Sequence, residues 1–295
     1  MDRELSVSLP GFTGQGDVWS ASWRWWAHRP RVALALAAPR VAGFPGVWRV
    51  DASWDRETYR FGSGDESGVT SESHVHGGLV LSDWLTSQLR YSIGGGIDAW
   101  DSRRKAASIG GSLERRLLDD RLSLAADATL WLPTGGEAAF HALGARLAAQ
   151  SPMRSRNWVY TGRLGAERVS DRAPLGLWPG AGDGHARTPL LRGHPLLEDG
   201  IIDATAQAAF GRTLSYANAE VQRWLNKPAL IRVGIAAFGD AAVASRRWSD
   251  QRRSSNVDIG GGIRLKVPAG DRILRIDVAH GLRDGANALT IGWLF

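Results

Sequence analysis

Side chains that carry covalent or metal chemistry are scarce in this sequence, and most stand alone. There is no cysteine, which removes both a disulfide framework and every thiolate metal site. His74 and His76 share one face of a predicted strand and have the chemistry to bind a metal, but no third ligand stands at a sensible spacing. His141, His185, His194 and His280 are scattered, and no serine sits in a nucleophile-elbow context. These residues imply no enzyme, no cofactor and no metal. The group that most needs a partner is Arg192, in "LLRGHPLLEDG" (190–200). Its segment, roughly 170–211, is the longest without strand-like alternation and is rich in Gly, Pro and charge. So long a connection in a compact domain is uncommon unless it is functional or disordered. Leu190-Leu191 and Pro195-Leu196-Leu197 flank the Arg-Gly pair, as in a loop that packs against a surface.

The elements around this loop have a period of two, the signature of strands with two different faces. In "VDIGGGIRLKV" (257–267), Val257, Ile259, Gly261, Ile263, Leu265 and Val267 alternate with Asp258, Gly260, Gly262, Arg264 and Lys266. In "LIRVGIAAFGD" (230–240), Ile231, Val233, Ile235 and Ala237 oppose Arg232, Gly234, Ala236, Phe238 and Asp240. Comparable runs predict about fifteen strands: 4–9, 17–27, 31–38, 47–60, 72–82, 85–99, 104–116, 121–132, 138–149, 157–168, 213–225, 230–240, 257–267, 271–280 and 287–295. The segment "GEAAFHALGARLAAQ" (136–150) also admits a helical reading. Short turns at 117–120, 225–229 and 268–271 alternate with longer polar loops at 62–68, 132–139 and 245–256. That connectivity is expected of an outer-membrane barrel.

The polar face separates such a barrel from a soluble sandwich. It carries both charge signs, Arg49, Asp51, Arg90, Asp98, Asp258, Arg264, Arg275 and Asp277, with many glycines that leave room. This composition suits a polar lumen. Trp19, Trp23, Trp25, Trp48, Trp54 and Trp293 fall on the apolar face, mostly toward strand ends, where bilayer interfaces favour amphipathic rings. The formal net charge is +6, but the basic residues are spread singly along strands, which does not suggest nucleic acid. No window approaches the ~20 consecutive apolar residues of a membrane helix, and "MDRELSVSLPGF" has no basic-then-apolar leader. The chain ends on "ALTIGWLF", with Leu289, Ile291, Trp293 and Phe295 on one face and Gly292 between them. This terminal strand looks like the sorting signal of outer-membrane barrels, and it is the expected seam strand.

Residues 188–295 resemble the barrel of the BamA/TamA family of outer-membrane assembly and secretion factors, the bacterial surface antigen barrels. "LLRGHP" resembles the family's apolar-Arg-Gly-aromatic loop motif, "YANAEVQRWL" its Asn-x-Glu strand, and "IAAFGDAAV" its Phe-x-Asp-x-Gly strand. "IGGGIRLKVPAGDRILRIDVAHGL" with "LTIGWLF" resembles its three closing strands. His194 stands where the family has an aromatic, and Ala242 where it has glycine. The first half carries no family motif.

The resemblance implies an all-β, antiparallel transmembrane β-barrel of about sixteen strands over residues 1–295, with loop 170–211 folded into the lumen. It also implies that Arg192, Gly193, Phe238, Asp240 and Glu220 hold that loop, with Arg192 meeting Asp240. The family's periplasmic N-terminal domains are not present in this chain, and counting back from Phe295 makes 4–9 the second strand. The implied location is the bacterial outer membrane. The implied partners are the lipid bilayer and its lipopolysaccharide, an unfolded polypeptide substrate, and accessory assembly proteins. The expected function is insertion or translocation of polypeptides by strand exchange at the seam. A passive pore, or the membrane module of an enzyme with an upstream domain, are the alternatives.

Overall fold

The computed structural model describes residues 3–62, 68–151, 157–182, 187, 189–225, 231–246, 253–266 and 273–294. The strands are β1 (Glu4–Pro10), β2 (Val18–Trp26), β3 (Arg29–Pro39), β4 (Val47–Phe61), β5 (Gly68–Thr86), β6 (Leu89–Trp100), β7 (Arg104–Leu117) and β8 (Leu122–Pro133). They continue as β9 (Phe140–Gln150), β10 (Trp158–Val169), β11 (Leu197–Glu198), β12 (Ile201–Asp203), β13 (Thr213–Trp224), β14 (Arg232–Ser245), β15 (Arg253–Lys266), β16 (Ile273–Gly281) and β17 (Asn287–Leu294). All seventeen belong to one sheet. Two of them, β11 and β12, lie in the long loop, so fifteen form the wall, each antiparallel to the next, with β10 pairing directly to β13.

Every predicted strand is present, with ends displaced by a few residues. The helical reading of 136–150 is overturned: β9 occupies Phe140–Gln150 and pairs with β8 on one side and β10 on the other. Its alanines fit either pattern, and cross-strand pairing decides for the strand. The loop also departs from expectation, because Leu197–Glu198 and Ile201–Asp203 form a small hairpin that pairs in parallel with the end of β4. The division into short turns and long loops holds only in part. Connection 27–28 is tight although it lies at the long-loop end, while 11–17 and 40–46 at the other end are extended.

Burial inverts the pattern of a water-soluble domain. Outward side chains are large and apolar, including Ile97 at 72% exposure, Leu289 at 65%, Val278 at 60% and Ile235 at 54%. Trp19, Trp23, Trp25 and Trp54 join that outer band. Large apolar side chains exposed on strand after strand are unlike the small, scattered apolar patches of soluble monomers. The buried cores lie inside instead. One joins Tyr59, Trp100, Trp131 and Phe140 of the wall to Trp178, Leu196, Ile202 and Phe210 of the loop. Another joins Leu190 and Leu191 to Leu214, Ala242 and Ala244.

Among the described residues β1 pairs only with β2, and β17 only with β16. The wall alternates direction over fifteen strands, so β1 and β17 run the same way. Phe295 lies outside the described residues, as do most of the turns 225–229 and 268–271.

Candidate functional site: a loop anchored by arginine in the barrel interior

The strand register places four carboxylates close together on the inner wall. Asp240 on β14 is the direct cross-strand partner of Asp258 on β15, and Gly262 on β15 faces Asp277 on β16. Glu220 on β13 pairs with Phe238, one inward step from Asp240. The side chains of Asp240, Asp258 and Asp277 have no solvent exposure. Like charges directly opposite on a sheet are destabilising, and a buried charge must be paired. Arg264 answers part of this need, with Nη2 2.8 Å from Glu220 Oε1 and Nη1 bonded to Asp277. Arg275 reaches Asp277 at 3.4 Å.

The loop supplies the remaining positive charge. Arg192 donates from Nε to Asp240 Oδ2 at 2.8 Å and from Nη2 to Asp240 Oδ1 at 2.9 Å, a bidentate fork. Its Nη1 bonds Glu220 and lies 3.5 Å from Asp277. The guanidinium rests on the Phe238 ring, 3.4 Å from the centroid, so the ring covers the face that has no hydrogen-bond donors. Burial disfavours the Arg192 cation, but its hydrogen bonds and charge interactions with Asp240 and Glu220 outweigh that and raise its pKa. Asn218 ties Leu190 O to Asp240, at 3.0 Å from Oδ1, and so links the loop backbone to the same carboxylate.

Gly193 donates its N–H to Asp258 Oδ2 at 2.6 Å, and a Cβ there would lie 2.8 Å from the Asp258 carboxyl carbon. Glycine is therefore required by close approach. His194 then bridges two acids, with Nδ1 2.6 Å from Asp258 and Nε2 2.8 Å from Asp284. The hydrogen bond with Asp258 outweighs partial burial, Asp284 adds to it, and together they push the imidazole pKa up to about 9. Thus Arg192 neutralises Asp240 and His194 neutralises Asp258. The loop supplies the cations that make this acidic wall tolerable.

Arg192, Gly193, Phe238, Asp240 and Glu220 lie together in this arrangement. Leu289, Ile291 and Gly292 lie on the terminal strand, paired with Val278, Ile276 and Arg275 of β16, away from the loop. Several contributors escaped the sequence reading. Asp258, Arg264 and Asp277 carried the signal of polar-face parity, which gives a face but no height along the barrel. His194 stood out only as a departure from a motif, and its partners are two carboxylates, Asp258 and Asp284. A second anchor had no sequence signal at all. Arg187 Nη1 lies 2.9 Å from Glu57 on β4, its Nη2 3.3 Å from the Tyr59 hydroxyl, and its guanidinium over Phe210 at 5.4 Å.

The reading that His74 and His76 lack a third group of ligating type also needs correction, because Asp98 stands beside them. Asp98 on β6 is the register partner of His76, and its Oδ1 lies 2.9 Å from His74 Nε2 and 2.8 Å from His76 Nδ1.

No protein-family model matches the sequence, and no curated protein matches it. Solved structures do match in shape. BamA from Haemophilus ducreyi lacking POTRA domains 1–3 aligns over 98% of this chain and 66% of its own, with TM-score 0.70 and 14% identity. CdiB from Escherichia coli aligns over 98% and 58%, with TM-score 0.69 and 16% identity. CdiB from Acinetobacter baumannii aligns over 98% and 54%, with TM-score 0.57 and 12% identity. The chain therefore spans between about half and two thirds of the length of these matched chains. Its fold is that of the BamA and CdiB outer-membrane barrels.

Proposed function

We propose that this chain is the membrane barrel of a protein-assembly or secretion factor in the bacterial outer membrane, acting on unfolded polypeptides. The single observation that carries the reading is the buried, bidentate Arg192–Asp240 pair, set in a loop that enters the barrel. Support for the reading comes from the agreement between this contact and the pairing that the sequence resemblance implies, on a fold shared with BamA and CdiB. The outer apolar belt would meet lipid and lipopolysaccharide. Accessory assembly proteins are the further partners that this reading implies.

The mechanism follows from backbone hydrogen bonding. An edge strand with free N–H and C=O groups templates an incoming strand. Among the described residues β1 is exposed along its whole length and β17 is paired on one side only, so the seam between them is where a substrate strand would add. A passive pore would need the loop to leave the interior, and the contacts of Arg192 and Arg187 oppose that.

Two measurements test the reading. The purified protein should require detergent and migrate faster unheated than boiled on a denaturing gel. A monomer soluble in plain buffer would refute the membrane assignment. In planar bilayers the plugged translocator should give small, flickering openings. Large, steady conductance would favour the pore.

A further inference from the structure

We propose that His74, His76 and Asp98 form a binding site for a divalent late transition-metal cation of the zinc type on the inner wall. Residues two apart on a strand share a face, and a directly opposed residue on the next strand brings its Cβ to about 4.5–5.5 Å. His74 and His76 on β5, with Asp98 opposite His76 on β6, use both relations. The donor atoms of the three residues all lie within 4.8 Å of one another. A tetrahedral ion with bonds of ~2.0–2.1 Å would hold its ligands about 3.3 Å apart. The two contacts to Asp98 Oδ1, at 2.9 and 2.8 Å, need to open by only a few tenths of an ångström. Two imidazoles and one carboxylate are a donor set that suits zinc and its late first-row neighbours.

The surroundings are what a metal ligand set requires. A ligating histidine generally gives its other ring nitrogen to a carboxylate, which fixes the ring and raises its basicity. Each ring has a β4 carboxylate near that nitrogen: His76 Nε2 lies 3.4 Å from Asp51, and His74 Nδ1 lies 3.7 Å from Asp55. The second oxygen of Asp98 receives hydrogen bonds from Ser108 Oγ at 2.9 Å and Trp131 Nε1 at 3.0 Å, so the carboxylate is held with Oδ1 toward the imidazoles. Trp100 stacks on His74 with centroids 4.9 Å apart. Glycine leaves the space that His76 occupies, since a Cβ on Gly78 would lie 2.7 Å from its Nε2 and one on Gly96 3.1 Å from its Cε1. His76 borders a cavity of about 280 Å³ and His74 one of about 330 Å³. A fourth, exchangeable ligand such as water therefore has access. Nothing in the assembly reading uses these residues.

The test uses the purified, folded barrel in detergent, stripped with a chelator and titrated with Zn²⁺ by calorimetry and elemental analysis. One tight equivalent per chain is expected. The pair His74→Gln with His76→Gln should abolish it, and Asp51→Asn should weaken it about 10–100-fold. Heat-modifiable gel mobility reports whether each variant is folded. If the double variant does not fold, Co²⁺-loaded wild type decides by X-ray absorption: coordination by two imidazoles supports the site, and an all-oxygen shell overturns it. The proposal also fails if folded wild type binds no more Zn²⁺ than the folded double variant.

Discussion

Replacing Arg192 with alanine removes the cation but leaves its wall intact, so the size of the effect can be worked from the partners left behind. Glu220 keeps two hydrogen bonds from Arg264, and Asp277 keeps Arg264 and Arg275. Among the described residues Asp240 keeps only the neutral amide of Asn218, at 3.0 Å, with no solvent exposure. One buried carboxylate is therefore stranded. Breaking a buried pair costs about 3–5 kcal/mol, and the remaining support for the other two acids points to the lower end of that range. At 1.4 kcal/mol per decade, about 3 kcal/mol is a loss of roughly a hundred-fold in the docked population of the loop tip. The barrel should stay assembled, because Leu190 and Leu191 still pack on Ala242 and Ala244. Hydrogen exchange is the suitable assay, since the Gly193 N–H is buried against Asp258 and its protection reports local opening. Asp240→Asn should open the same segment less, because Arg192 retains Glu220. The double variant should be little worse than Arg192→Ala alone. Exchanging the charges, Arg192→Asp with Asp240→Arg, should recover only part of the protection, since the two groups differ in size and geometry. Unchanged Gly193 protection in Arg192→Ala, or strictly additive single effects, would refute the docking argument.

The His194 bridge makes tip docking pH-dependent. Its folded pKa is raised from 6.5 to about 9, so its contribution is complete below pH about 6.5 and is lost as pH rises through about 9. Protection of residues 190–194 should fall over that window in wild type and stay flat in His194→Gln; a flat wild-type profile would contradict the bridge. Gly262→Ala should lower the temperature of the gel-mobility transition, with a cost of about 1–3 kcal/mol, because its Cβ would collide with the Asp277 carboxylate and the Ile276 carbonyl. An unaltered transition would mean that the wall yields there. Deleting Phe295, or changing Trp293 and Phe295 to Ser, should block membrane assembly while synthesis continues. Normal insertion of those variants would show that the terminal pattern is coincidental.

The sequence by itself determined the wall. A period of two assigns each residue to a face whatever its neighbours are, so the fifteen strands and the inward setting of Phe238, Asp240, Asp258, Arg264 and Asp277 were legible before any pairing was known. Arg192 and Asp240 were matched through motifs that happen to name both ends of one contact. Parity is silent, however, about register, the height at which one strand meets the next. Only register sets Asp258 opposite Asp240 and Asp98 opposite His76, and so only the tertiary structure revealed the paired acids and the third metal ligand. Segment 136–150 was ambiguous for a related reason, since its alanines permit both periods and pairing on two sides decided between them. The loop was least legible. Arg187 and Glu57 are 130 residues apart in sequence, and the parallel strand added to β4 has no alternation long enough to read. A loop's position depends on the shape and charge of the cavity that receives it, which exists only once the strands have paired into the wall around it.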